Sequence, residues 1–354
     1  MNTESSQSES PVIARHNQNL AGIYLNRPAM LNSLSLEMIR LLQNELDKAE
    51  NSDRVRMILL SGKGERGFCA GGDIKVIVEA VKDKNTGQAA QFFEEEYALD
   101  LRLTRFPKPV VVLADGITMG GGLGLAAGAD IVIATERTRM AMPETRIGFF
   151  PDVGATGWLF DKCPEGYPEF LGLTGYEARG AECVRVGLAS LLIPYKKLPR
   201  AVQVVEEHAG ELPPDKTASV EQLHSLLKPF TSDQIPEKPE MDEWVKDYFA
   251  GKTSIQDTFH SLSLCSVETE LCSGVFHRVS ERSPTALALT LMLLRRNEGR
   301  PPEEVFQADL KAAMYMVSHP DFIEGVRARL IDKDDHPQWR PGRIEQVGRL
   351  ELEL

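Results

Sequence analysis

Hydrophobic positions between Leu20 and Ala134 change period as the chain advances. Leu20–Leu25 and Ile131–Ala134 are short apolar runs of strand length. Met57–Leu60 and Val110–Ala114 are continuously apolar, the pattern of strands covered on both faces. Ser35 suits an N-cap ahead of Ile39, Leu42, Leu46 and Ala49, which recur at helical spacing. Further helical patterns lie around Ile77–Val81 and Phe92–Leu103, inside the charged stretch Lys75–Arg105. Strand and helix in this rhythm predict an α/β layer fold.

The pattern changes after about residue 196. Residues 196–256 are rich in Lys, Glu and Pro, and Pro213, Pro214, Pro229, Pro236 and Pro239 interrupt any long element. Short amphipathic helices are predicted near Val202–His208, Glu221–Leu227 and Met241–Phe249. Ser283-Pro284 forms an N-cap and first-turn pair ahead of Leu287, Leu291 and Leu294. Another helix carries Val305, Phe306, Leu310, Ala313 and Val317. The layout is an α/β core followed by a largely helical C-terminal third.

Composition narrows the function. The 354 residues are 42% apolar and 26% charged, with no apolar run of the roughly 18 residues that a membrane span needs. Forty Lys+Arg against 52 Asp+Glu give a net charge of −12, which argues against wrapping nucleic acid or coating an anionic membrane. Cys69, Cys163, Cys183, Cys265 and Cys272 are odd in number and widely spaced, so no disulfide framework is expected. No Cys-x-x-Cys or closely spaced His pair supports a zinc site. Met1–Pro11 is rich in Ser, Glu and Gln without a basic residue, unlike a secretory or organelle leader. A cytoplasmic location and a short disordered tail are the expectation.

Three stretches carry candidate chemistry: Phe68-Cys69-Ala70-Gly71-Gly72-Asp73-Ile74, Gly120-Gly121-Gly122-Leu123-Gly124, and the run from Pro143-Glu144 to Asp152-Val153-Gly154. Glycine loops free backbone N–H groups to face a ligand, and two such loops can each give one amide to a single oxyanion. Tight turns explain the same glycines equally well. Gly122-x-Gly124-x-x-Ala127 also matches a dinucleotide fingerprint, but Asp115–Met119 separates it from the preceding strand. Glu144 and Asp152 each follow a proline amid apolar residues, where a carboxyl group can serve as acid, base or nucleophile. The sequence alone favours exposed loop acids for both. Glu94-Glu95-Glu96 reads as readily as a solvated helix face.

Taken together, these segments resemble the crotonase (enoyl-CoA hydratase/isomerase) superfamily, and within it the branch of the 3-hydroxyisobutyryl-CoA hydrolases. The resemblance runs over nearly the whole chain. It includes Leu25-Asn26-Arg27-Pro28, Asn32-Ser33-Leu34, Glu95-Glu96-Tyr97, Gly116–Gly122, Ala141–Thr145, Ser283-Pro284-Thr285, Asp321–Ala328 and Leu330–Asp334. It implies a spiral core of repeated ββα units over residues 12–210 and a mainly helical extension, 211–354, packed on it. Residues 1–11 are left as the tail.

The resemblance also implies roles. Gly72 and Gly121 match the oxyanion-hole positions, and Ala70, Asp73 and Ile74 match the loop lining the CoA adenine pocket. Glu144 matches the catalytic glutamate, Asp152 its acidic partner, and Glu96 a residue near the acyl group. Hydratases of the superfamily carry a second glutamate where this chain has Gly124, so thioester hydrolysis is favoured over hydration. The implied substrate is a short 3-hydroxyacyl-CoA, 3-hydroxyisobutyryl-CoA first, which places the chain in valine catabolism. No metal or redox cofactor is implied, coenzyme A being part of the substrate. A hydratase-type lyase and a catalytically silent CoA binder are the rivals, with a nicotinamide oxidoreductase behind them. Arg27 is a candidate for holding the CoA phosphates. Homo-oligomers are open, since relatives form trimers while the C-terminal helices here can cover the same surface.

Overall fold

The computed structural model describes residues 10–17, 19–265, 269–350 and 352–353; most of the expected tail, residues 1–9, lies outside them. The strands are β1 (Val12–Asn17), β2 (Leu20–Leu25), β3 (Met57–Gly62), β4 (Gly67–Cys69), β5 (Val110–Ala114), β6 (Ile117–Met119), β7 (Ile131–Ala134), β8 (Arg139–Ala141), β9 (Ala178–Arg179) and β10 (Leu191–Leu192). Helices of the first half are α1 (Leu36–Glu50), α2 (Ile74–Lys82), α3 (Thr86–Thr104), α4 (Gly121–Ala127), α5 (Ala155–Lys162), α6 (Tyr167–Thr174) and α7 (Ala181–Arg185). The remainder are α8 (Leu198–His208), α9 (Lys216–Leu227), α10 (Pro239–Phe249), α11 (Ile255–Ser263), α12 (Thr269–Ser280), α13 (Pro284–Asn297), α14 (Pro302–Ser318) and α15 (Pro320–Val326).

Two sheets alternate along the chain. The larger has the order β1-β2-β3-β5-β7-β10, parallel except for the antiparallel β1/β2 pair. The smaller has the order β4-β6-β8-β9, with β4, β6 and β8 parallel. Each of β3, β5 and β7 joins the large sheet, and the short strand after it joins the small one. Helices α2 and α3 follow β4, and α4 follows β6, giving the repeated ββα arrangement that the resemblance implied.

Side chains of successive strand residues point to opposite faces, so a sheet buried on both sides needs unbroken apolar runs. Ile58, Leu60, Val110, Val112 and Val132 enter the main core. Their neighbours Met57, Leu59, Val111, Ile131 and Ile133 pack on the other face against Leu198, Ala201 and Val205 of α8 and Leu223 and Leu227 of α9. Ser35 caps α1 as expected, its hydroxyl accepting from Met38 N. One expectation is corrected: Cys265 and Cys272 are disulfide-bonded, with Cα atoms 6.2 Å apart. Helices α11 and α12 pack together across a short connection, which brings the two cysteines into reach.

The C-terminal helices close over the core. α13 packs on α5 and α6, α14 on α3 and α5, and α15 against the turn at Glu144–Ile147. The capping serine of α13 also ties the layers together. Ser283 Oγ accepts from Ala286 N and donates to Asp321 Oδ2 at 2.6 Å, while Asp321 Oδ1 accepts from Arg340 N at 2.7 Å. Ser283 and Asp321 are both fully buried. Replacing Ser283 by Ala removes the cap, worth about 1 kcal/mol, and deprives a buried carboxyl of a partner, worth about 1–3 more. Urea unfolding of Ser283→Ala should therefore show a loss of about 2–4 kcal/mol with an unchanged m-value. A midpoint equal to wild type would show that the Ser283–Asp321 contact holds nothing together.

Candidate active site

The two glycine loops meet where the sheets diverge. The first runs from β4 into α2 and is pinned by the Leu31–Leu34 segment: Leu34 N donates to Gly71 O, Asp73 N to Leu34 O and Ala70 N to Leu31 O. The second runs from β6 into α4 through Gly120, whose φ of 51° is in the region that side chains rarely adopt. A Cβ on Gly71 would stand 3.2 Å from Gly121 N, and one on Gly121 would stand 3.5 Å from Gly72 N. The two amides predicted as an oxyanion pair thus lie side by side. Among the described residues neither N–H has a hydrogen-bond acceptor in the chain.

Three carboxyl groups surround this junction. α3 turns Phe92, Phe93, Glu96, Tyr97 and Asp100 inward and leaves Glu94 exposed, so the acidic triplet is not a uniform solvated face. Glu96, Glu144 and Asp152 retain only 2%, 7% and 6% exposure, which corrects the reading of the latter two as exposed loop acids. A Cβ on Gly121 would collide with Glu96 Oε1, and one on Gly120 would lie 2.9 Å from Glu144 Oε1. The Tyr97 hydroxyl donates to Asp152 Oδ2 at 2.8 Å. Glu96 Oε1 and Glu144 Oε2 have no hydrogen-bond partner. Phe93 stacks on Phe149 with ring centroids 5.5 Å apart, giving the site a dry wall.

Burial explains the electrostatics. Loss of water penalises the charged form, and repulsion from Asp152 adds to it, so Glu144 and Glu96 titrate well above the usual glutamate range. Burial also lifts Asp152 to about 7, against the opposing hydrogen bond from Tyr97. Near neutrality Asp152 therefore populates both its protonated and its ionised form, the condition for a group that gives or takes a proton.

A cavity of about 890 Å³ joins these groups. Ala70, Gly72, Ile74, Gly121 and the three carboxylic residues line it, but Asp73 does not. Asp73 lines a separate small hollow instead, and its carboxylate accepts from Arg27 at 3.1 Å. Arg27 also donates to Ser33 O, so both residues are occupied away from the cavity. Gly124 lies inside α4, as does the whole dinucleotide-like match, which removes the phosphate-binding turn that match requires. A Cβ on Gly124 would stand 2.6 Å from Val153 Cβ, so Val153 fills the space where a hydratase places its second acid.

Two features escaped the sequence reading. Asp100, one turn beyond Glu96 on α3, is 1% exposed with both oxygens unpartnered, and burial raises its pKa well above the aspartate range. The i, i+4 spacing from Glu96 is the signal that could have found it. The second feature is a wall of cations: Arg146, Arg278, Arg282, Arg329 and Lys333 line the cavity from segments far apart in sequence. No local motif announces them.

The raised carboxyls make stability fall with pH. Asp152 is protonated in the folded chain where an unfolded aspartate, with a pKa of about 4, has ionised. The stabilisation from that bound proton is complete below about 4 and is lost as pH rises to and through about 7. Melting of wild type and Asp152→Asn from pH 5 to 8 should show the variant gaining on wild type as pH rises. A difference that stays constant across this window would refute the buried, protonated state.

Comparison with known proteins places this architecture. A sequence profile of the enoyl-CoA hydratase/isomerase family matches residues 20–353. The chain is 35% identical over 335 residues to the Gallus gallus protein named 3-hydroxyisobutyryl-CoA hydrolase, mitochondrial, covering 92% of this chain and 83% of that one. It is 33% identical over 340 residues to the Schizosaccharomyces pombe protein named small ribosomal subunit protein mS47, covering 94% of this chain and 78% of that one. In structure it is similar to the carnitinyl-CoA dehydratase from Mycobacterium thermoresistibile, with a TM-score of 0.85, 30% identity, and coverage of 96% and 94%. The ββα spiral, the paired glycine loops and the family match agree: the chain belongs to the enoyl-CoA hydratase/isomerase family.

Proposed function

We propose that this chain hydrolyses the thioester of a short 3-hydroxyacyl-CoA, with 3-hydroxyisobutyryl-CoA as the first substrate to test. The observation that carries the reading is one cavity holding two adjacent amides and three buried carboxyls, with the second hydratase acid replaced by the packed Gly124–Val153 pair. The thioester carbonyl oxygen sits between Gly72 N–H and Gly121 N–H, which stabilise the charge that develops on attack. Glu144 acts at the carbonyl carbon, either by attacking it to form an anhydride or by taking a proton from water. Asp152, oriented by Tyr97, gives a proton to the departing thiolate, and Glu96 accepts from the substrate hydroxyl. Water and thioester become acid and thiol; the chemistry calls on no metal or redox step.

The rivals are weighed by particular residues. Hydration needs a second acid near Gly124, and Val153 occupies that space. A silent binder would not need Glu144 and Asp152 desolvated at a cost, and the likeness to a protein named as a ribosomal subunit makes activity the deciding observation. A role in valine catabolism follows the substrate. Placement in the cytoplasm rests on the composition of Met1–Pro11, and the Gallus gallus relative carries a mitochondrial designation in its name. Among the described residues no helix is long and apolar enough to cross a membrane.

Thiol release from a panel of acyl-CoAs tests the proposal. Wild type should turn over 3-hydroxyisobutyryl-CoA, while Glu144→Gln lowers kcat about 10²–10⁴-fold, the range for losing a positioned acid or base. Equal rates for the two would remove Glu144 from the chemistry. Hydration of a short enoyl-CoA in place of thiol release would assign the lyase activity instead.

A further inference from the structure

A second cavity of about 360 Å³ lies next to the catalytic one and shares no lining residue with it. The two nevertheless meet along three segments. On α3, Glu96 lines the catalytic cavity and Asp100 lines the second. On α4 the corresponding residues are Gly121 and Gly124, and on the loop after the Glu144–Ile147 turn they are Asp152 and Val153. On both helices the step from one cavity to the other is about a single turn. Away from this wall, the second cavity reaches the exposed residues Asp161, Lys162 and Arg300.

Asp100 stands in the wall with nothing to hold it there. It is 1% exposed, and among the described residues neither oxygen has a hydrogen-bond partner. Such a group costs free energy unless it serves a purpose. Its i, i+4 spacing from Glu96 puts the two Cβ atoms about 5–6 Å apart on one face of α3. Both carboxyls press on α4: a Cβ on Gly121 would collide with Glu96 Oε1, and one on Gly124 would lie 3.1 Å from Asp100 Oδ2. Val153 packs on Gly124 as well, with a φ of 50° that is unfavourable for a β-branched residue. The wall thus has an apolar part, Val153, and a polar part, the Glu96–Asp100 pair. The groups facing Asp100 with charge are Glu96, Asp152 and Asp309, all acids, and burial with their repulsion favours its protonated form.

We propose that Glu96 and Asp100 form a proton path from the catalytic cavity to water in the second one. The path rests on the hydrolase reading above and gives the fate of the proton which that reaction releases. Hydrolysis consumes one water with two protons. Asp152 protonates the departing thiolate and is reloaded by one of them. The other is surplus, because the acid product ionises at about pH 4 while the thiol keeps its proton at neutrality. This surplus proton passes to Glu96, from Glu96 to Asp100 and from Asp100 to water. Each carboxyl forms one O–H bond and breaks one, so both end as they began. Substrate fills the catalytic cavity during turnover, whereas the second cavity stays open to water. Asp100 touches neither substrate nor reacting atoms and acts through Glu96.

Thiol release from 3-hydroxyisobutyryl-CoA, followed in a single turnover and in steady state, tests the path. Asp100→Asn keeps the side chain's shape and removes its ionisable proton, and Asp100→Ala leaves room for a diffusible base. In both variants the single turnover should run at the wild-type rate, and kcat/KM should stay within about twofold of wild type. Steady-state kcat should fall about 10–100-fold, because the reset of the acids is slowed and not the chemistry. Added imidazole should restore most of kcat to Asp100→Ala and leave wild type unchanged. Losses of equal size in the single turnover and in steady state, unmoved by imidazole, would make Asp100 a structural residue and overturn the path. Wild-type kcat in both variants would overturn the path alone and leave the hydrolase reading standing. Absence of thiol release from wild type would instead overturn the hydrolase reading, and the path with it.

Discussion

Missing Cβ atoms at the meeting of two loops are the constraint on which the site depends. A side chain on Gly121 would collide with Glu96, and one on Gly120 would crowd Glu144. With glycine there, α3 approaches the second loop closely enough to bury Glu96 and to bring the Tyr97 hydroxyl onto Asp152. The Gly72 and Gly121 amides then lie close together. The close approach of α3 and the burial of Glu96 are one feature, because a Cβ at Gly121 would take the place of the Glu96 carboxyl.

The helical C-terminal region completes that burial. Gly148, in the loop between Glu144 and Asp152, faces the Asp321 carbonyl of α15 so closely that a Cβ would overlap it. Phe306 of α14 packs on Tyr97 with ring centroids 5.9 Å apart, and Phe322 of α15 packs on Phe149 at 5.4 Å. Residues 302–326 thus contribute to the burial that raises these carboxyls. Stability and function draw on the same contacts: desolvating an acid costs free energy, and the packing of α14 and α15 offsets it.

Local signals explain what the sequence revealed. The β3, β5 and β7 runs were readable because each apolar residue is buried on one face or the other, and Ser35 and Ser283 because a cap is specified by its own next three residues. Features set by distant chain were not. Glu144 and Asp152 read as exposed because what covers them is distant in sequence: Tyr97 of α3 stands 55 residues before Asp152, and α14 and α15 follow only after residue 301. The cavity's arginines converge from across the last two-thirds of the chain. Family resemblance supplied the positions of Gly72, Gly121, Glu96, Glu144 and Asp152, while the physical reasons for them required the fold. Net charge is silent on the site in the same way: an overall −12 says nothing of acids buried inside the cavity and cations lining it.

Desolvation raises the Glu144 carboxyl and keeps that of Asp152 protonated where ordinary carboxyls have ionised. Carbon-13 NMR of carboxyl-labelled Asp and Glu, assigned by difference spectra from Glu144→Gln and Asp152→Asn, measures this directly. At pH 5.5 the Asp152 resonance should remain largely in the protonated range and pass its midpoint near 7, and Glu144 should titrate above the surface carboxyls. Midpoints for both at about 4, with the bulk of the carboxyls, would contradict it.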